Sequence, residues 1–366
     1  MTDLARAAAR MFCVGFAGTS VPAETRALIG RGVRAAILFK RNFESAQQIA
    51  ELCGELKRQA GGPFLNCIDQ EGGRVVRLGE PFTQVPSMRA VGETGDAGLA
   101  RRVGAVLGKE LRAANIDMNL SPVLDVDTNP ENPVIGDRSF GRMPARVTEM
   151  GLALIAGLQG QGVAACGKHF PGHGDTAQDS HLHLPRLGHA IERLREIELP
   201  PFAAAARAGV AAIMTAHVIF EAIDPAVPAT MSRAVLTGLL REELGFGGVI
   251  VSDDLEMKAI ANHYPLDEVI VRGVNAGVDL FAICHSAALQ NEAIDLLIKA
   301  VERGEVARER IEDAGRRLDR LHAAYVRPAW SGEAAVIGCA EHRRVVDQMA
   351  REEGKRDPTV YERGSG

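Results

Sequence analysis

The chain has 366 residues, of which 46% are hydrophobic and 24% charged, and its formal net charge is -5. A mildly acidic chain without a basic block argues against nucleic acid as a partner, and no apolar run is long enough to cross a bilayer. The six cysteines lie far apart and mostly within apolar runs. They predict reduced, buried thiols, and because the first residues lack a signal-peptide pattern we expect a cytoplasmic protein.

Eight short apolar runs have the length and composition of buried strands. In chain order they are residues 12–16, 35–39, 64–68, 116–120, 163–167, 210–214, 249–252 and 278–283. Continuous apolar strands are buried on both faces, so these runs predict a parallel sheet that is covered by helices.

Longer segments with helical spacing alternate with the strands. They are residues 45–59, 97–114, 146–161, 191–208, 233–244, 267–276 and 307–325. This alternation predicts an α/β fold with a single (β/α)8 TIM-type barrel over residues 1–326, and a doubly wound open sheet is the alternative. Residues 327–366 are expected to form a C-terminal extension with a helix at 341–353 and a disordered end from 354.

Polar side chains stand where the predicted strands end. They are Asp69 after the third strand, Asp125 after the fourth, Lys168 and His169 after the fifth, Thr215 and His217 after the sixth, Asp253 and Asp254 after the seventh, and His285 after the eighth. In a barrel the carboxyl ends of all strands converge on one face, where barrel enzymes place their catalytic residues. The sequence therefore predicts one polar pocket at this face.

Residues 168–183, KHFPGHGDTAQDSHLH, form the most distinctive segment of the chain and hold four of its ten histidines. Metal-assisted hydrolysis would use His169, His173, His181 and Asp175 as ligands, but a loop broken by proline and glycine is a poor metal cage. Phosphate binding by its glycines lacks the spacing of a nucleotide loop. Both remain alternatives to covalent catalysis by a carboxylate.

Covalent catalysis fits two features of the sequence. Asp253 follows a buried strand that would hold its carboxylate rigidly at the pocket floor, as attack on the anomeric carbon of a sugar requires. Asp179 and His181 are two residues apart, so in an extended segment they project to the same side. The carboxylate could then orient the imidazole, whose ordinary pKa of about 6.5 suits both donating and accepting a proton.

Four motifs together resemble glycoside hydrolase family 3, and specifically its bacterial β-N-acetylglucosaminidases. They are KHFPGHGDT followed by DSH, IDQEGGRVVRL at 68–78, SPVLDVDTNPENPVIGDRSFG at 121–141 and GVIVSDDLEM at 248–257. The resemblance runs from about residue 11 to residue 325. It implies a TIM-barrel hydrolase that needs no cofactor and no metal.

The resemblance also implies a role for each matching residue. Asp253 would be the nucleophile, His181 the general acid/base and Asp179 its orienting partner. The residues matching those that bind the terminal sugar are Asp69, Arg77, Arg138, Lys168 and His169. His173 would shape the loop. Glu71 and Glu131 are the carboxylates that would replace His181 if it is not the acid/base.

The implied reaction is the retaining removal of a non-reducing terminal β-linked N-acetylglucosamine from peptidoglycan (anhydro)muropeptide fragments. A β-glucosidase, a broad β-hexosaminidase or a phosphorylase of the same family is the alternative, and a sugar-binding barrel without turnover is the rival from another class. The expected partner is a small carbohydrate, with neither nucleic acid nor membrane. We expect a monomer.

Overall fold

The computed structural model describes residues 2–177, 184–329 and 334–354. Its strands are β1 Phe12–Val14, β2 Ala35–Leu38, β3 Leu65–Ile68, β4 Met118–Asn119, β5 Ala164–Phe170, β6 Arg186–Leu187, β7 Ala212–Thr215, β8 Ile219–Phe220, β9 Val249–Asp254 and β10 Leu280–Ile283. All except β6 and β8 pair in parallel and close into a barrel in the order β1-β10-β9-β7-β5-β4-β3-β2. This closure confirms the predicted barrel and excludes the open sheet.

Each predicted strand overlaps one barrel strand, because each is an apolar run that is buried between the barrel interior and the helices. Small and sulfur-containing side chains fill the interior, among them Cys13, Cys67, Cys166, Met118 and Met214. All six cysteines are free thiols and five are buried, as the sequence predicts. The short strands β6 and β8 form a separate parallel pair, which the sequence analysis missed.

The helices are α1 Asp3–Ala9, α2 Ala23–Gly30, α3 Ala46–Ala60, α4 Met88–Thr94, α5 Ala97–Ala113, α6 Pro144–Gly160, α7 Ile191–Glu196, α8 Leu199–Arg207, α9 Lys258–Ala261, α10 Leu266–Ala276, α11 Ala287–Glu302, α12 Arg308–Tyr325 and α13 Ala340–Gly354. Residues Ala234–Glu243 form a π-helix where an ordinary helix was expected. No helix in the described ranges is long and apolar enough to cross a membrane.

The single helix predicted over 191–208 is wrong. The structure has α7 and α8 there, with the break at Ile197 and Glu198. Pro200 and Pro201 follow the break and occupy the first turn of α8, where the missing proline N–H would have had no helical partner. The proline pair thus begins a second helix.

The C-terminal helix α13 packs on α4 and α5, and a buried carboxylate joins these elements. Glu110 of α5 accepts hydrogen bonds from the Thr83 backbone N–H at 2.7 Å and the Thr83 hydroxyl at 2.6 Å. It also accepts one from the Gly338 N–H at 2.9 Å, and its Oε1 lies 2.7 Å from His342 Nδ1. Residues 334–348 are therefore part of the packed structure. The disorder expected from residue 354 onward falls almost wholly outside the described ranges.

We predict that Glu110→Ala lowers the free energy of unfolding by roughly 3 kcal/mol, because it leaves several buried donors without an acceptor. Urea denaturation measures this loss. The matched control is Glu341→Ala, which removes a carboxylate of α13 that is 75% exposed and 3.8 Å from Lys109. That change should cost less than about 0.5 kcal/mol. Equal losses in both variants would contradict the role given to Glu110.

Candidate active site

A cavity of about 370 Å³ opens at the carboxyl ends of the barrel strands. Its lining includes every described residue that the sequence analysis assigned to catalysis or sugar binding: Asp69, Arg77, Arg138, Lys168, His169 and Asp253. Glu71, His173, Asp254 and His285 also line it. A larger cavity of about 1060 Å³ lies between α3 and residues 326–329, away from these strand ends, and contains none of the predicted site residues.

The two remaining predicted catalytic residues, Asp179 and His181, lie outside the described residues. Of the alternatives to His181, Glu131 is exposed and does not line the cavity. Among the residues that the structure describes, no group of three or more histidines, cysteines or acidic residues has the arrangement of a metal site.

A buried cluster of charges forms one wall of the cavity. The Lys168 ammonium lies 2.7 Å from Asp69 Oδ1 and 2.6 Å from Glu71 Oε1. The Arg138 guanidinium donates two hydrogen bonds to Glu71, at 2.9 and 2.8 Å, and Arg77 approaches Asp69 to 3.4 Å. Loops that follow β3 and β4 are thereby joined to β5 by direct charge pairing.

The surroundings of Glu71 exclude it as a proton donor. Burial alone would raise the pKa of Glu71, but the charges of Arg138 and Lys168 hold that pKa far below its usual range. The same pairing acts on the lysine: burial would lower the pKa of Lys168, yet Asp69 and Glu71 raise it above its usual value. At neutral pH both groups are charged, so Glu71 has no proton to give to a leaving group.

A second network holds the start of the loop that follows β5. Asp125 is fully buried and accepts hydrogen bonds from the His169 N–H at 3.1 Å and the His173 N–H at 2.6 Å. Its Oδ2 is also 2.7 Å from His169 Nδ1. From the sequence, Asp125 is expected at a strand end, without a role. Its place in the run Leu124-Asp125-Val126, an acidic residue between apolar ones, was the available signal.

His173 does not carry protons in the neutral range. Burial, followed by the nearby His169, lowers the pKa of His173 to about 4. Its Nδ1 is 2.7 Å from the Thr176 hydroxyl, and Asn132 donates a 2.8 Å hydrogen bond to the His173 backbone carbonyl. These contacts hold the His173 side chain and backbone against Thr176 and Asn132.

Asp253 is the penultimate residue of β9 and lines the cavity. The Asp254 backbone N–H donates to Asp253 Oδ1 at 2.8 Å. Burial alone would raise the pKa of Asp253, but His169 and His217 near it, together with that N–H, bring the pKa below its usual value. A nucleophilic carboxylate must be ionised, and this environment keeps Asp253 in that form.

Asp254 has the opposite electrostatic environment. Burial, then the charges of Glu256 and Asp253, raise the pKa of Asp254 to about 7. Its Oδ1 accepts hydrogen bonds from the backbone N–H groups of Glu256 at 3.1 Å and Cys284 at 3.2 Å. Two adjacent carboxylates on one strand end therefore differ in charge at neutral pH, one ionised and one close to half protonated.

The family model described as glycosyl hydrolase family 3 N-terminal domain matches residues 10–321. The chain belongs to glycoside hydrolase family 3. It is 41% identical to a β-hexosaminidase of Neisseria meningitidis serogroup C over 74% of this chain and 76% of that protein. It is 38% identical to the β-hexosaminidase of Nitrosomonas eutropha over 84% and 90%.

Solved family 3 structures have the same fold. A β-N-acetylglucosaminidase from Paenibacillus superposes with a TM-score of 0.93 at 42% identity, covering 96% of this chain and 69% of that one. NagZ from Neisseria gonorrhoeae, in complex with N-trifluoroacetyl-D-glucosamine, gives a TM-score of 0.78 at 33% identity over 93% of this chain and 97% of that one. The sequence resemblance is thus confirmed for family and fold.

The raised pKa of Asp254 predicts a pH-dependent stability of this family 3 domain. The group titrates at about 7 in the folded protein, against an ordinary value of 3.8, so the folded state holds a proton that the unfolded chain releases. This contribution to the free energy of unfolding is present at low pH and is lost as the pH rises to about 7.

Asp254→Asn should remove that part of the pH dependence, which urea denaturation between pH 4 and pH 8 would measure. Glu292→Gln, a change at an exposed position of α11, is the control and should leave the wild-type slope intact. A wild-type slope in Asp254→Asn would mean that Asp254 titrates normally in the folded protein.

Proposed function

We propose that this family 3 glycoside hydrolase is a retaining exo-β-N-acetylglucosaminidase that works through a glycosyl-aspartate intermediate. The observation that carries the proposal is the ionised carboxylate of Asp253 at the end of β9, which faces the same cavity as Asp69 and Lys168. The relatives named β-hexosaminidase and the solved β-N-acetylglucosaminidase support the sugar specificity.

In the first step Asp253 attacks the anomeric carbon, and the bond from that carbon to the glycosidic oxygen breaks. His181, oriented by Asp179, gives its proton to the departing oxygen. In the second step His181 removes a proton from water, the water oxygen attacks the anomeric carbon, and the bond to Asp253 breaks. Two displacements restore the β configuration. The roles of Asp179 and His181 rest on their motif.

The charged wall of the cavity is proposed to bind the terminal sugar. Asp69 and Lys168 offer an acceptor and a donor to adjacent hydroxyls, and charge-assisted hydrogen bonds of this kind are strong and directional. Arg77, 29% exposed, would contact the sugar from the rim. Arg138 and His169 are also assigned to sugar binding, and Glu71 and Asp125 hold these two residues in place.

The natural substrate is proposed to be N-acetylglucosamine that is β-linked to anhydro-N-acetylmuramic acid, with or without a peptide. The similarity to NagZ supports this choice. We further propose that the protein is cytoplasmic, which agrees with its free thiols, and that it works as a monomer. Product analysis with and without added phosphate separates hydrolysis from phosphorolysis, since only the latter yields a sugar phosphate.

We predict that Asp253→Ala lowers turnover of p-nitrophenyl β-N-acetylglucosaminide by about 10⁴-fold or more, because the covalent step loses its nucleophile. Asp267→Ala, at an exposed position of α10, is the matched carboxylate control and should keep wild-type turnover. EDTA should have no effect on either protein. Surviving activity in Asp253→Ala, or loss of wild-type activity with EDTA, would refute the proposed mechanism.

The acid/base prediction distinguishes two histidines, since His169 lines the cavity and is itself paired with the buried Asp125. His181→Ala should lower kcat/KM by about 10²- to 10⁴-fold on substrates with a poor leaving group. The loss should be much smaller on an activated aryl substrate, whose leaving group needs no proton. His169→Ala should weaken both substrates equally, because it removes a binding contact. The reverse pattern would assign the acid to His169.

A further inference from the structure

His217 is a fully buried histidine that follows β7 and lies behind the active-site cavity, without lining it. It takes no part in the two displacement steps. Its Nε2 lies 3.1 Å from the backbone carbonyl oxygen of Asp254, and its Nδ1 lies 2.8 Å from the Thr230 hydroxyl. The first of these contacts brings His217 to the residue that directly follows the proposed nucleophile.

The pairing between β9 and β10 is irregular where Asp253 stands. Leu280 of β10 pairs with Val251 of β9. The next pair between these strands is Ala282 with Asp254, so β9 advances by three residues where β10 advances by two. One residue of β9 is therefore extra in the stretch that contains Asp253. A β-bulge of this kind changes the direction of side chains, disrupts the local hydrogen-bond ladder and is common next to active sites.

Side chains hold the end of β9 where backbone pairing is interrupted or ends. Towards β7, the pairing of β9 reaches Val251, and the same register extended by three positions brings His217 opposite Asp254. His217 makes that contact with its ring. Because a carbonyl oxygen only accepts, Nε2 is the donor. Towards β10, the Ser252 hydroxyl accepts a hydrogen bond from the Ala282 N–H at 3.0 Å.

The partners of His217 also assign its tautomer. Since Nε2 carries the proton that it donates to Asp254, Nδ1 of the neutral ring accepts from the Thr230 hydroxyl. The Thr215 hydroxyl, 2.7 Å from Thr230 Oγ1, is then the donor to Thr230. Burial lowers the pKa of His217, so the neutral ring is the form present at neutral pH. Both ring nitrogens are thus bonded, and the orientation of the ring is fixed.

We propose that His217 is a positioning residue for Asp253, the proposed nucleophile. The inference rests on the proposed function, because it takes Asp253 to be the group that attacks the sugar. The Asp254 backbone N–H donates to Asp253 Oδ1 at 2.8 Å. The residue whose carbonyl His217 holds is therefore also the residue that orients the attacking carboxylate. A displacement of about 1 Å at a reacting group costs roughly 10²-fold in rate. His217 does not contact the substrate and acts only through Asp254.

The test compares His217→Leu with His217→Gln. Leucine fills the site without a donor, whereas glutamine carries an amide N–H that can donate to the Asp254 carbonyl. We expect His217→Leu to lower kcat/KM by about 10- to 100-fold on 2,4-dinitrophenyl β-N-acetylglucosaminide, a substrate whose leaving group departs without a proton. The inhibition constant of N-acetylglucosamine should change by less than about threefold, because the charged wall that binds the sugar is intact. His217→Gln should recover most of the lost rate.

Two further variants keep the test decisive. Thr230→Val removes the partner of Nδ1 and should show the same pattern to a smaller extent if His217→Leu folds poorly. The matched control is His322→Leu, at a buried histidine of α12 that does not line the active-site cavity. That variant should keep wild-type kcat/KM even if its free energy of unfolding falls.

The outcomes separate this inference from the proposed function. Wild-type kcat/KM in His217→Leu, equal losses in the leucine and glutamine variants, or a loss of rate that is matched by a loss of affinity for N-acetylglucosamine would overturn the positioning role. None of these results would affect Asp253 as the nucleophile. Surviving activity in Asp253→Ala would instead overturn the proposed nucleophile and, with it, this inference.

Discussion

The site depends on one buried ammonium group. Lys168 is 2% exposed, and a cation so far from water is stable only when charges of the opposite sign are held against it. Asp69 and Glu71 supply those charges from the loop after β3, and Arg138 balances the second carboxylate from the loop after β4. Three strand ends are thereby held at fixed distances. The polar wall of the cavity follows from the need to neutralise a charge inside the barrel.

The two aspartates of β9 have pKa values shifted in opposite directions by the charges around them. Two neighbouring carboxylates in a buried site repel each other when both are ionised, so their environments decide which one carries the charge. Asp253 faces His169 and His217, which lower its pKa, whereas burial and the adjacent charge of Glu256 raise the pKa of Asp254. The ionised member is the one that the motif assigns to attack on the sugar. Sequence order alone does not distinguish these two residues, because their difference arises from the loops above them.

The barrel could be predicted because it depends on local patterns: buried apolar strands alternate with amphipathic helices, and each is visible in a short window. The convergence of polar strand ends then followed from the closed sheet. The partners of Asp125 and Glu110 could not be predicted in this way. Asp125 and His173 are 48 positions apart in the sequence, and Glu110 and His342 are 232 positions apart. Neither pairing can therefore be recognised from a short stretch of sequence. The break between α7 and α8 is predictable from the adjacent prolines, because they mark a helix start. The apolar spacing of 191–208 instead indicated one continuous helix.

A histidine acid is consistent with the charges already present in this cavity. Asp69, Glu71 and Asp253 are acidic groups that line the cavity, and Asp69 and Glu71 are paired with the buried cations Lys168 and Arg138. A further carboxylic acid would have to stay protonated beside them. Such an acid needs a strongly raised pKa, as Asp254 has, and it becomes an additional negative charge once its proton has left. An imidazolium that donates its proton becomes neutral instead. The ordinary pKa of an imidazole, about 6.5, lies close to neutral pH, so a histidine can donate the proton in the first step and accept one in the second.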